Sequence, residues 1–199
     1  MAEPNISTYP NLRINFWGIC KSANTYMKFQ LWAAENKRPF EPILFDIEIH
    51  NKVKKVLTPQ GAMKNGFLNI SLTRHPFERF VSMWRDMVRT RPHKVKSYLG
   101  GNASWTPLEM IQKISTKDDD EINEHLRTQG GILGDYKMDR IFKIENIHDT
   151  WDLDIPLDRE RRHVSDPARV EATQELVEVV ENRYYNDYER FGYERKYIP

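Results

Sequence analysis

Hydrophobic and polar side chains alternate over three stretches of the chain. Leu12, Ile14 and Phe16 are separated by Arg13 and Asn15 and run into Trp17 and Gly18, the period-two pattern of a strand that ends at a turn residue. Ile43, Phe45, Ile47 and Ile49 alternate against Asp46 and Glu48, which predicts a second strand ending at His50. Leu68, Ile70 and Leu72 alternate with Asn69, Ser71 and Thr73 and stop at Arg74. Pro76 follows, a residue suited to the first turn of a helix. Ile141, Phe142 and Ile144 mark a further short strand or buried turn before Glu145.

Between these stretches the period lengthens. Met27, Leu31 and Ala34 fall on one stripe of a helix over 24–36, with Ser22 or Asn24 available as its N-cap. Phe77, Phe80, Val81, Trp84 and Val88 give the next helix an apolar face that has to be packed. Residues 91–133 read as short helices and loops, with 105–114 and 121–126 as the helical candidates. A long helix over 170–191 carries Leu176, Val180, Tyr184, Tyr188 and Phe191 and is expected to close the core. Strands alternating with helices predict an α/β fold with a central parallel sheet flanked by helices. No repeat interrupts this order, and Pro and Gly are scattered. One domain over 1–199 is therefore expected, with 1–11 as a loose N-terminal segment.

Composition narrows the chemistry. The 199 residues carry 30 basic and 29 acidic side chains, a net charge of +1, so the overall basic excess of a nucleic-acid or membrane-surface binder is missing. Neither kind of partner is expected, and any anion site has to be local. The single cysteine, Cys20, excludes an internal disulfide and a cysteine cluster for zinc. No apolar run reaches signal-peptide or membrane-spanning length, which gives a cytoplasmic expectation.

Two loops supply the local charge. Lys21, Ser22, Ala23, Asn24 and Thr25 lie between the first strand and the first helix, where free backbone N–H groups and the helix dipole favour an anion. The phosphate loop of nucleoside triphosphatases requires glycines where this chain has Cys20 and Asn15, so the segment is not of that type. Arg74 stands at the carboxyl end of the third expected strand, and Ser82 lies two turns into the next helix. In open parallel sheets ligands bind beyond the carboxyl ends of strands, so both loops are candidates for one crevice. An arginine grips a phosphate through two N–H groups, and a serine hydroxyl adds another donor.

These segments resemble the sulfotransferases, in particular the carbohydrate sulfotransferase branch. That family has a Pro-Lys-x-Ala/Gly-x-Thr segment for the 5′-phosphosulfate of 3′-phosphoadenylyl sulfate (PAPS), matched here at Lys21, Ala23 and Thr25 with Cys20 in place of proline. Its Arg-x-Pro-x-x-Arg-x-x-Ser segment for the 3′-phosphate is matched at Arg74, Pro76, Arg79 and Ser82. Further similarity lies around Glu124 to Gln129, Tyr136 to Asn146 and Tyr185 to Tyr193. The resemblance implies a P-loop-like sulfotransferase fold and transfer of a sulfuryl group from PAPS to a hydroxyl, on a carbohydrate, with phosphoadenosine phosphate (PAP) as product and no metal. It also implies that Lys21 stabilises the leaving phosphate, that the segment Ser22, Ala23, Asn24, Thr25 and Tyr26 holds the 5′-phosphate, and that Arg74 and Ser82 hold the 3′-phosphate. Two other readings stay open: a nucleotide-kinase-like phosphoryl transferase, and a non-catalytic nucleotide-binding module of the same fold.

For the general base, His50 is the candidate, because imidazole titrates near neutral pH and the related enzymes place a His or Glu between the two phosphate segments. Glu48 and His125 are the alternatives. Arg79 reads as a structural ion-pair or helix-face residue. The acidic run Asp118 to Glu121 reads as a helix cap rather than a metal cluster. Arg159, Arg161, Arg162 and His163 form a basic group that suits either an anionic ligand or a solvated loop. Tyr184, Tyr185, Tyr188 and Tyr193 read as packing.

Overall fold

In the computed structural model, which describes residues 4–38, 49–50, 52–53, 58–100, 104–158 and 170–195, four strands form one sheet in the order β1-β2-β3-β4. β1 (Asn5–Tyr9) and β2 (Ile14–Gly18) are antiparallel, with Asn5 opposite Gly18 and Tyr9 opposite Ile14. β3 (Leu68–Thr73) lies parallel to β2, and β4 (Arg140–Lys143) parallel to β3. The parallel α/β sheet expected from the sequence is present, with one antiparallel strand added at its edge.

That added strand occupies the segment expected to be loose. Its apolar residues Ile6 and Tyr9 are three apart, so no period-two pattern marks it, yet both are buried. Thr8 donates its hydroxyl to Asn15 Oδ1 across the pair (2.8 Å). Leu12 and Arg13 belong to the hairpin turn rather than to β2: Arg13 is left-handed (φ 56°) and its N–H returns to the Pro10 carbonyl (3.2 Å). Of the expected second strand, 43–48 lies outside the described residues. Ile49 and His50 are helical, Val53 N–H donating to the Ile49 carbonyl (3.1 Å), so no strand runs to His50.

The chain divides into two compact units. Within the described residues, 4–73 and 133–158 form the sheet unit. Its core joins Phe16, Ile70, Leu72 and Phe142 of the sheet to Met27 and Leu31 of α1 (Asn24–Glu35). α2 (Pro59–Lys64) starts on Thr58, whose hydroxyl accepts the Gly61 N–H (3.2 Å). A short α7 (Ile147–Thr150) follows β4.

Residues 74–132 and 170–195 form the helical unit. α3 (Pro76–Trp84) buries the expected stripe of Phe77, Phe80, Val81 and Trp84 and continues as a wider π turn over Arg85–Thr90. α4 (Pro92–Leu99), α5 (Pro107–Ser115) and α6 (Gln129–Leu133) follow, α5 opening with a Thr106–Glu109 capping box. The stretch 121–126 is not a helix; a 3-10 turn at Asp119–Glu121 precedes it. The expected long helix over 170–191 is two, α8 (Gln174–Arg183) and α9 (Tyr185–Phe191), broken at Tyr184 (φ −104°, ψ 22°). Val180, Tyr184 and Tyr188 keep helical spacing through the break and are all buried, so the sequence pattern is blind to it. Among the described residues no helix is long and apolar enough to cross a membrane.

Candidate functional site

The loop after β2 is built from its backbone outward. A Cβ at Gly18 would stand 2.9 Å from Asn24 Cγ, so any larger residue there would have to displace the Asn24 side chain. Lys21 (φ 66°) and Ala23 (φ 53°) are both left-handed, at a cost of about 1–2 kcal/mol each for a non-glycine residue. Strain of this kind concentrates at ligand sites, and left-handed residues in a turn gather N–H groups on its concave side.

Ala23, not Ser22 or Asn24, occupies the cap position of α1, and no side chain caps the helix. Ser22 is fully buried, and its N–H closes the turn on the Ile19 carbonyl (3.3 Å). That N–H is therefore committed to the loop. The first helical bond runs from Met27 N–H to the Ala23 carbonyl (3.0 Å). The N–H groups of Asn24, Thr25 and Tyr26 precede it and have no acceptor inside the helix. The loop thus ends in an electropositive helix start whose N–H groups suit an anion.

Side chains complete the rim. Thr25 Oγ1 lies 3.4 Å from His50 Nε2, and His50 Nδ1 lies 3.3 Å from Lys28 Nζ. Lys28 is 2 % exposed and also donates to Asn5 Oδ1 of β1 (3.1 Å). Tyr26 donates its hydroxyl to the Asp158 carbonyl (2.5 Å). Burial, with the Asp158 charge adding to it, pushes that phenol up to about 12, so it stays protonated at neutral pH. The structure therefore brings His50 to Thr25. It also introduces Lys28, which the sequence reading missed although it is three residues from Thr25 and so shares its side of a helix.

The second motif begins where β3 ends. Arg74 follows Thr73 directly, and its peptide is clamped from both sides by Gln129: Arg74 N–H donates to Gln129 Oε1, and Gln129 Nε2 donates to the Arg74 carbonyl, each at 2.9 Å. The Arg74 guanidinium meets Glu78 Oε2 (3.2 Å) and remains partly exposed. Ser82 is buried on α3. Arg79 is a structural residue whose charge acts on the buried Asp187 carboxyl. It is buried and serves as an internal donor, to the Arg127 carbonyl (2.8 Å) and the His125 carbonyl (3.5 Å).

The remaining candidates sort by their contacts. His125 Nδ1 pairs with Asn123 Oδ1 (2.7 Å), and the ring stacks on Tyr98 with centroids 6.5 Å apart. Asp118 and Glu121 form a capping box on the 3-10 turn rather than on the expected helix, while Asp119 accepts from the Thr128 N–H and from Arg183. Glu48, Arg159, Arg161, Arg162 and His163 lie outside the described residues.

The sequence profile of the sulfotransferase family matches residues 4–155, a span that contains both the Lys21–Tyr26 and the Arg74–Ser82 segments. The chain belongs to the sulfotransferase family. No curated protein and no solved structure gives a match. Membership makes sulfuryl transfer the general chemistry of this sulfotransferase. The donor groups of the Lys21–Tyr26 segment are suited to it: an ammonium, a hydroxyl and helix-start N–H groups all bind anionic oxygen.

Proposed function

We propose that this sulfotransferase moves a sulfuryl group from PAPS to a hydroxyl, on a carbohydrate. The observation that carries the reading is the strained loop ahead of α1, with Lys21 and Ala23 left-handed. Such a backbone is retained at a cost, and an anion held on the N–H groups of Asn24, Thr25 and Tyr26 offsets that cost. In this reading those N–H groups and the Thr25 hydroxyl hold the 5′-phosphate, and Lys21 faces the oxygen on which charge develops. Arg74 and Ser82 take the 3′-phosphate. Both segments follow the carboxyl ends of parallel neighbours, β2 and β3, where ligands of open sheets bind.

The donor supplies the sulfuryl group and leaves as PAP. The acceptor oxygen forms the new bond to sulfur, the sulfur–oxygen bond to the phosphate breaks, and its electron pair stays on the phosphate. Lys21 neutralises that charge. The acceptor hydroxyl gives up its proton in the same event, to the departing phosphate or to water.

A thermal-shift comparison of PAP, PAPS and ATP with magnesium tests the reading. A ligand held only by the folded state raises the melting temperature by roughly 5 °C or more when it is about 100-fold above its Kd. PAP and PAPS are expected to do so. No shift with either sinks the proposal, and a shift with magnesium-ATP alone moves the assignment to phosphoryl transfer.

A further inference from the structure

We propose that Lys28, acting through His50, is a positioning residue that fixes the Thr25 hydroxyl at the donor-phosphate site, and that His50 is therefore not the general base. The inference rests on the PAPS reading of the Lys21–Tyr26 segment. It follows from the donor and acceptor roles in the two contacts that link three side chains of one unit.

An ammonium carries only donors. With Lys28 charged, His50 Nδ1 at 3.3 Å from Nζ is the acceptor. A neutral imidazole that accepts at Nδ1 carries its proton on Nε2. Nε2–H then donates to Thr25 Oγ1 across 3.4 Å. Thr25 has one hydroxyl hydrogen, and with His50 already acting as donor that hydrogen is directed to another acceptor. A phosphate oxygen at the start of α1 is the acceptor the site is built for.

The same two contacts take His50 out of proton transfer. One ring nitrogen faces an ammonium and the other bears the proton, so neither offers a lone pair to the acceptor hydroxyl. Lys28 is held in this arrangement by burial and by Asn5 Oδ1 at 3.1 Å. A buried ammonium needs such partners, because desolvating it alone is expensive. This gives β1 a role at the site, since Asn5 anchors the cation that sets the tautomer.

Two measurements test the proposal. The first reads the tautomer directly in the wild-type protein, by nitrogen-15 chemical shifts of labelled histidine without ligand. A neutral ring protonated on Nε2 is expected; an Nδ1–H tautomer or an imidazolium overturns the proposal, whatever the protein binds. The second is a double-mutant cycle on PAP affinity and turnover. Thr25→Ala and His50→Ala are each expected to weaken PAP by about tenfold, and the double variant by no more than Thr25→Ala alone.

His50→Gln can accept from Lys28 and donate to Thr25 but cannot serve as a base, so it is expected to recover most of what His50→Ala loses. Additive losses in the cycle, or a Gln variant as inactive as the Ala variant with PAP affinity intact, overturn the proposal. Failure of the wild-type protein to bind PAP defeats the PAPS reading instead and leaves the tautomer result to decide the Lys28–His50–Thr25 arrangement.

Discussion

Lys21, Arg74 and Arg79 are all cations of the two family motifs, and their surroundings differ. Arg74 is partly exposed, with its backbone fixed by Gln129 and its guanidinium paired to Glu78 at the surface. Arg79 donates to the carbonyls of Arg127 and His125 inside the protein. Arg74→Ala is expected to raise the Kd for PAP about tenfold or more with little change in melting temperature. Arg79→Ala is expected to lower stability by about 3 kcal/mol, because it strands buried carbonyls and removes the cation that offsets the buried Asp187 charge. Lys21→Ala is expected to cut kcat about a hundredfold with a smaller effect on PAP affinity. Calorimetric titration with PAP, urea unfolding and single-turnover assays check the three variants. The motif spacing was enough to nominate Lys21, Thr25, Arg74 and Ser82. It also set Arg79 apart as structural, but did not show the partners that hold it, which are carbonyls about 50 residues away.

At the scale of elements, the position of Arg74 depends on a short helix and on a carboxylate from the last one. Asp187 of α9 is fully buried and accepts the N–H groups of Gln129 and Gly130, each at 2.7 Å, at the start of α6. Gln129 in turn clamps the Arg74 peptide. Burial pushes the Asp187 carboxyl up, while the Arg79 charge and the two N–H groups pull it back. Asp187→Asn presents one NH2 where an acceptor is required. It is expected to cost about 1–3 kcal/mol in urea unfolding with an unchanged m-value, and to weaken PAP binding through the loosened Gln129. An unaltered stability would show that the carboxylate is not what holds α6.

The elements that the sequence disclosed are those whose burial follows a regular period: β2, β3, α1, and α3 with its stripe from Phe77 to Trp84. What it concealed depends on long-range pairing. β1 is made by its register against β2 and by Asn5 and Thr8 finding partners, not by alternation. The break between α8 and α9 is made at Tyr184, whose side chain fits the helical period on both sides of it.

At the scale of the whole molecule, the near balance of 30 basic and 29 acidic side chains makes the buried, neutral titrating groups the ones to watch at high pH. Tyr9 and Tyr26 of the sheet unit and Tyr184 of the helical unit all have their phenols raised by burial. Tyr184, which donates to the Leu126 carbonyl (3.2 Å), is pushed from 10.0 up to about 12, so the folded state favours the protonated phenol more than the unfolded chain does. Its contribution is fully present below pH 10.0 and is lost as the pH rises toward about 12. Tyr184→Phe removes the hydrogen bond and is expected to cost about 1 kcal/mol near neutral pH. It also removes the titration, and each pH unit between the two values is worth about 1.4 kcal/mol. The stability of the wild-type protein should therefore fall more steeply than that of the Phe variant above pH 10.0, and the two curves should cross before the phenol is fully ionised. Urea unfolding at a series of alkaline pH values measures both curves. Parallel curves would mean that Tyr184 ionises alike in the folded and unfolded chains and that its burial does not hold the proton.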